Sequence, residues 1–170
     1  FVEGNSLGSA ALMSKSITGT AVTNTDFTAL KNSQIEITVN GVTKKIGLWA
    51  YDSSGEKYDY TDTTSNGVTT TGAAKAAASL NTELAKAFGS SAPTFSYDSA
   101  TGKITLKASG SSDIISISAI SGDSASSALV SRLGFTSGAT NQLNSSSKLS
   151  DLMGSNFKAG TFTVGSSTVT

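Results

Sequence analysis

The stretch QIEITVNGVTKKIGLW, residues 34–49, alternates apolar and polar residues on both sides of an Asn-Gly pair. Ile35, Ile37 and Val39 fall on one face of an extended chain and Glu36 and Thr38 on the other, because successive strand side chains point to opposite faces. Asn40-Gly41 supplies the two positive-φ residues that a type I′ turn requires. A two-residue turn there predicts Val39 opposite Val42, Ile35 opposite Ile46 and Glu36 opposite Lys45. Two apolar pairs and one pair of opposite charge make this register self-consistent, and a slip by one residue would turn the apolar set outward. Lys44 falls on the apolar face, where its stem can cover the sheet while its ammonium reaches water.

A similar strand-and-turn phrase, FTVGSSTVT, occupies residues 162–170. At a constant offset of 125 residues, Asp26 matches Asp151, Phe27 matches Leu152, Ile37 matches Phe162 and Val39 matches Val164. Upstream, AALMSK echoes SALVSR at an offset of 117, with Ala11 matching Ala128 and Lys15 matching Arg132. Recurrence of a supersecondary unit points to a duplicated architecture. The sequence predicts one complete module over residues 26–138. The flanking segments 1–25 and 139–170 are expected to pack together as a second, discontinuous domain.

Between the repeats, TGAAKAAASLNTELAKAFG reads as a helix with Ala77, Leu80, Leu84 and Phe88 at helical spacing, Thr71 as N-cap and Gly89 as stop. TFSYDSATGKITLKAS reads as a second hairpin around Ala100-Thr101-Gly102. DIISISAIS reads as a strand with Ile115 and Ile117 on one face. DSASSALVSRLGF reads as a short helix capped at Asp123 or Ser124, with Leu129, Val130 and Leu133 buried. TSGATNQLNSSSK, after Phe135, reads as a linker. Hairpins mixed with helices, without regular βαβ spacing, predict an α+β fold: mainly antiparallel hairpins with one main amphipathic helix and one short helix per module, in two small domains.

Composition narrows function. The 170 residues carry 12 Lys plus Arg and 12 Asp plus Glu, a formal net charge of zero. That balance argues against a nucleic-acid partner, which needs a basic surface, and against a polybasic membrane anchor. No apolar run approaches a membrane span. Cysteine and histidine are both absent. Their absence removes disulfides, thiolate metal sites, the usual neutral-pH general base and any Ser–His–Asp or Cys–His group. Only 14% of residues are charged, while Ser and Thr make up about a third of the chain. No secretory leader is recognised, and a start at Phe1 rather than Met reads as a piece of a longer protein.

YDSSGEKYDYTD offers Asp52, Glu56, Asp59 and Asp62 as oxygen ligands, but their spacing departs from a calcium loop. No phosphate loop is present, since GVTTTG and SGSSD lack the following lysine. The expectation is a non-enzymatic protein without catalytic residues, metal or cofactor. Trp49, Tyr51, Tyr58 and Tyr60 form the candidate surface contact, for protein or sugar, with core or edge packing as the alternative reading of Trp49.

IEITVNGVTKKI (35–46), LNTELAKAFG (80–89), FSYDSATGKITLKAS (95–109) and ALVSRLGFTSG (128–138) together resemble the IN motif of flagellins and hook-associated proteins. That unit occurs in the outer domains of flagellar filament-capping proteins (the hook-associated protein 2 family) and in some flagellins. The resemblance covers residues 26–138 and a partial head at 149–170. It implies an extracellular structural protein at the tip of the bacterial flagellum. Its implied partners are flagellin and other axial proteins, and it would self-associate into a ring-like cap that assists flagellin assembly. Such proteins have long heptad-patterned helical ends. No sustained heptad occurs here, so the chain corresponds to the exposed middle domains. Apparent repetition of the unit favours the cap over flagellin. A surface adhesin domain binding glycan or protein is the alternative.

Overall fold

The structure, a computed structural model, describes residues 14–142 and, at the level of backbone pairing, the strands 162–164 and 167–169. The Asn-Gly hairpin sits at its centre. Strands β2 (Ser33–Val39) and β3 (Val42–Leu48) pair antiparallel with Val39 opposite Val42, Ile35 opposite Ile46 and Glu36 opposite Lys45, the register expected from the alternation. Asn40 and Gly41 have φ of 50° and 84°, as a type I′ turn demands. Ile35, Ile37, Val39, Ile46 and Leu48 are buried, whereas Lys44 is exposed.

On the far side of β2 lies β8 (Ile115–Ser118), antiparallel, with Ile117 beside Ile37. A short strand, β9 (Ala139–Thr140), completes a four-stranded sheet of order β3-β2-β8-β9. A second, three-stranded sheet has the order β1-β7-β6, from β1 (Ser16–Ala21), β6 (Thr94–Asp98) and β7 (Lys103–Lys107). Asp98 shapes the predicted β6–β7 turn, its carboxylate accepting from the Ala100 amide at 2.9 Å and the Thr101 hydroxyl at 2.8 Å.

Helix α1 (Gly72–Phe88) begins where Thr71 Oγ1 accepts from the Ala74 amide and ends at Gly89, as its sequence predicts. Its buried face is Ala73, Ala76, Ala77, Leu80 and Leu84, and the small alanines allow close approach. This face packs on β3 of one sheet and β6 of the other, so α1 joins the two sheets. Helix α2 (Ser124–Arg132) starts at Asp123, whose carboxylate accepts from the amides of Ala125 and Ser126, and packs against β2. Gly134 follows it at a φ of 88°, and a Cβ there would lie 2.3 Å from the Thr20 carbonyl oxygen. Only glycine satisfies both the left-handed backbone and the close approach of β1. One continuous apolar core runs through both sheets and both helices. Among the described residues the architecture is α+β with antiparallel pairing throughout.

The boundaries of the module are wider than 26–138. Residues 14–25 supply β1 and residues 139–142 supply β9 and a buried Asn141, so both belong to the main body. SITGTA has one buried apolar residue, Ile17, and the two-residue AT of β9 sits in a polar run, so neither carries an alternation strong enough to announce a strand. Within that body the Ser14 amide donates to the Asn141 carbonyl at 2.9 Å. The rest of the expected second domain, and the AALM echo, lie outside the described residues.

Two further hairpins are present. β4 (Thr63–Ser65) and β5 (Val68–Thr70) pair around Asn66-Gly67, and every one of their residues is exposed. β10 (Phe162–Val164) and β11 (Ser167–Val169) pair with Val164 opposite Ser167, the same two-residue spacing that sets Val39 opposite Val42. The repeated phrase therefore forms a hairpin at each of its occurrences.

Candidate functional site: the aromatic loop between β3 and α1

Residues 49–62 carry the chain from the end of β3 to the hairpin that precedes α1. Carboxylates and small turns organise this loop. Asp52 Oδ1 accepts from the Ser54 amide at 2.8 Å, the Ser54 hydroxyl at 2.7 Å and the Glu56 amide at 2.9 Å. These bonds, led by the Ser54 hydroxyl, hold the Asp52 carboxyl below its ordinary pKa. Tyr51 bridges to Lys57, and the Tyr58 amide donates to the Ala50 carbonyl at 2.9 Å. Asp62 closes the loop by accepting from the Gly72 amide at 2.8 Å and the Thr25 hydroxyl at 3.0 Å. Gly72 has no room for a side chain, since a Cβ would lie 1.9 Å from the Tyr60 carbonyl oxygen and 2.1 Å from that of Thr25.

The four aromatic residues divide. Tyr51 is 59% exposed, and Trp49 and Tyr58 are half-buried. The Trp49 ring lies on Gly47, where a Cβ would come within 2.3 Å of it. Tyr60 is 0% exposed and belongs to the core, so its expected place in the contact surface is corrected. Its hydroxyl donates to the Trp49 carbonyl at 2.7 Å and lies 2.8 Å from Ser79 Oγ on α1. The segment is irregular, and the Tyr60 ring drops between β3 and α1. Tyr58 stacks on it with ring centroids 5.6 Å apart and planes 19° apart.

Beside Tyr58 lies an open depression of about 290 Å³ lined by Tyr58, Asp59, Lys75, Ala78, Ser79 and Thr82. The helical contributors are spaced i, i+3, i+4 and i+7 from Lys75, one face of α1. That spacing was the signal in the sequence. It is a weak signal, because Lys75, Ser79 and Thr82 have the composition of an ordinary solvated helix face. Lys75 Nζ donates to Asp59 Oδ2 at 3.0 Å and to the Thr61 carbonyl at 2.8 Å. Asp59 Oδ1 accepts from the Thr61 hydroxyl at 2.6 Å and the Thr61 amide at 2.9 Å. The Thr61 hydroxyl, then its amide, then Lys75 hold the Asp59 carboxyl well below the usual carboxylate range. The site thus offers an aromatic ring, hydroxyls and a fixed ion pair, suited to non-covalent contact. Among the described residues, no three of Asp and Glu come together as a metal-holding group, and no helix is long and apolar enough to cross a membrane.

Burial of Tyr60 is also a pH device. Desolvation pushes its phenol up from 10.0 to about 12, against the smaller lowering effect of Ser79. Between these values the unfolded chain releases the proton and the folded chain keeps it, so stability is full below pH 10 and falls as pH rises toward about 12. Thermal melts across this range are expected to show that loss, and Tyr60→Phe is expected to flatten it relative to the parent. Equal slopes for the two proteins would place the phenol in water.

No family description, curated protein or solved structure matches this chain.

Proposed function

We propose that this chain forms exposed structural domains of a bacterial flagellar filament cap, extracellular at the filament tip, where it contacts flagellin and other axial proteins. The resemblance of residues 26–138 to the IN motif supports the reading. The observation that carries it furthest is the meeting of Ser14 and Asn141. These two residues, 127 apart in sequence, are held side by side by bonds of 2.9 Å in both directions, an arrangement that suits a domain inserted into a longer chain. Carboxylates engaged in loop-holding bonds also suit a mechanical role. Ring assembly would rest on parts of the parent protein beyond this body.

Immunogold microscopy with antibody raised against residues 14–142 tests the proposal. Gold confined to filament tips is expected. Gold along the whole filament selects a flagellin outer domain instead, and gold on the cell body without filament label rejects both. The adhesin alternative is favoured by one observation, the surface position of Trp49, Tyr51 and Tyr58 beside the depression. Loss of glycan or host-protein binding in the Trp49→Ala, Tyr58→Ala double variant, with folding intact, would select it.

A further inference from the structure

The chain carries two Asn-Gly turns of nearly the same backbone geometry. Asn40 and Asn66 have φ of 50° and 51°, Gly41 and Gly67 of 84° and 77°, and all four residues are exposed. Their side chains differ. Asn40 Nδ2 donates to Asp113 Oδ1 at 2.9 Å, Asn40 Oδ1 accepts from the Ile114 amide at 2.9 Å, and the Asn40 amide donates to the Ile114 carbonyl at 2.8 Å. Both ends of that carboxamide are tied to the loop before β8. The Asn66 side chain has no hydrogen-bond partner among the described residues. It caps a hairpin of only three residue pairs, all exposed, whereas Asn40 joins seven-residue strands inside a sheet. A short two-stranded ladder without a packed face opens readily.

We infer that Asn66 is a site of spontaneous deamidation and that Asn40 is protected from it. The Gly67 amide nitrogen, deprotonated by hydroxide, attacks Asn66 Cγ. A bond forms between that nitrogen and Cγ, the Cγ–Nδ2 bond breaks, and Nδ2 leaves as ammonia after taking a proton from water. The product is a five-membered imide. Water then adds to either imide carbonyl, leaving an aspartyl or an isoaspartyl residue at position 66, with no change of oxidation state. Glycine favours the attack because no side chain shields its nitrogen. At position 40 the same attack requires both carboxamide bonds to break and Cγ to swing toward the Gly41 nitrogen. Either product puts a negative charge on the tip of the β4–β5 hairpin. The isoaspartyl form also adds a methylene to the main chain, which a two-residue turn cannot absorb without losing the pairing of Ser65 with Val68.

The folded protein is incubated at mildly alkaline pH, and peptides containing each Asn-Gly pair are followed by mass spectrometry, with a parallel sample in denaturant as reference. In denaturant both positions are expected to convert at similar rates. In the folded protein position 66 should stay near its denatured rate, while position 40 slows by about 30-fold or more, the value of two intact hydrogen bonds in the barrier. Hydrogen exchange on the aged sample should show lost protection at Ser65 and Val68 only. Equal folded rates at the two positions, or protection of Asn66 matching that of Asn40, would overturn the inference.

Discussion

Replacing Tyr60 with alanine is expected to destabilise the fold by about 4 kcal/mol, the usual loss for truncating a buried large aromatic side chain. The ring is wholly buried, and its removal leaves a cavity between β3 and α1. It also removes the hydroxyl that bonds the Trp49 carbonyl and Ser79 Oγ, so the end of β3 loses its tie to the helix. Tyr60→Phe keeps the packing and gives up only the hydroxyl, an expected cost of about 1 kcal/mol. Tyr51→Ala, nine residues earlier and 59% exposed, is expected to change stability by less than about 0.5 kcal/mol. Urea unfolding of the three variants checks the order. A Tyr60→Ala protein as stable as the Tyr51→Ala protein would return Tyr60 to the surface.

The second large effect is expected at Asn141. This side chain is 2% exposed and makes three hydrogen bonds: Oδ1 accepts from the Ile115 amide at 2.8 Å, and Nδ2 donates to the Ser14 carbonyl at 2.9 Å and the Asp113 carbonyl at 2.8 Å. It therefore satisfies three backbone groups from two segments far from it in sequence, residue 14 before β1 and residues 113–115 at the start of β8. Asn141→Ala strands these groups, each costing about 1–3 kcal/mol when left unpaired in a buried place, and a net loss of about 3 kcal/mol is expected. Asn141→Asp restores the acceptor but sets a carboxylate against two carbonyl oxygens, so it should not rescue. Hydrogen exchange gives a second reading. The amides of Ser14 and Ile115 should lose protection in Asn141→Ala while the β2–β3 ladder keeps its own. A loss of under about 1 kcal/mol with unchanged exchange would mean that the flanks are held by other contacts.

Much of the central fold was legible because its signals are local. The Asn40-Gly41 turn and the alternation from Ile35 to Ile46 specify a register without reference to anything distant. Thr71 and Asp123 mark helix starts because each bonds an amide two or three residues on. The β4–β5 hairpin carries the same Asn-Gly signal at residues 66–67 but no apolar alternation, so its strands are not announced by the sequence.

Asn141 was illegible for a different reason. Its three bonds reach back 26, 28 and 127 residues, and nothing in NQLNSSS distinguishes a buried clamp from a solvated linker. Tyr60 likewise needs the position of α1 before its burial can be known. Depressions such as the one lined by Tyr58, Asp59 and Lys75 arise only when loop and helix are brought together.

By itself the amino-acid sequence determined the strands, turns and caps, whose physics lies within a few residues of chain. It also determined which chemistries were excluded, because a chain without His or Cys lacks those side chains in any fold. Tertiary structure alone decided that residues 14–25 and 139–142 join the main body, which aromatic ring is core and which Asn-Gly pair is tethered. Those outcomes depend on which backbone and side-chain groups, far apart in the chain, are left facing one another once the two sheets and α1 have packed.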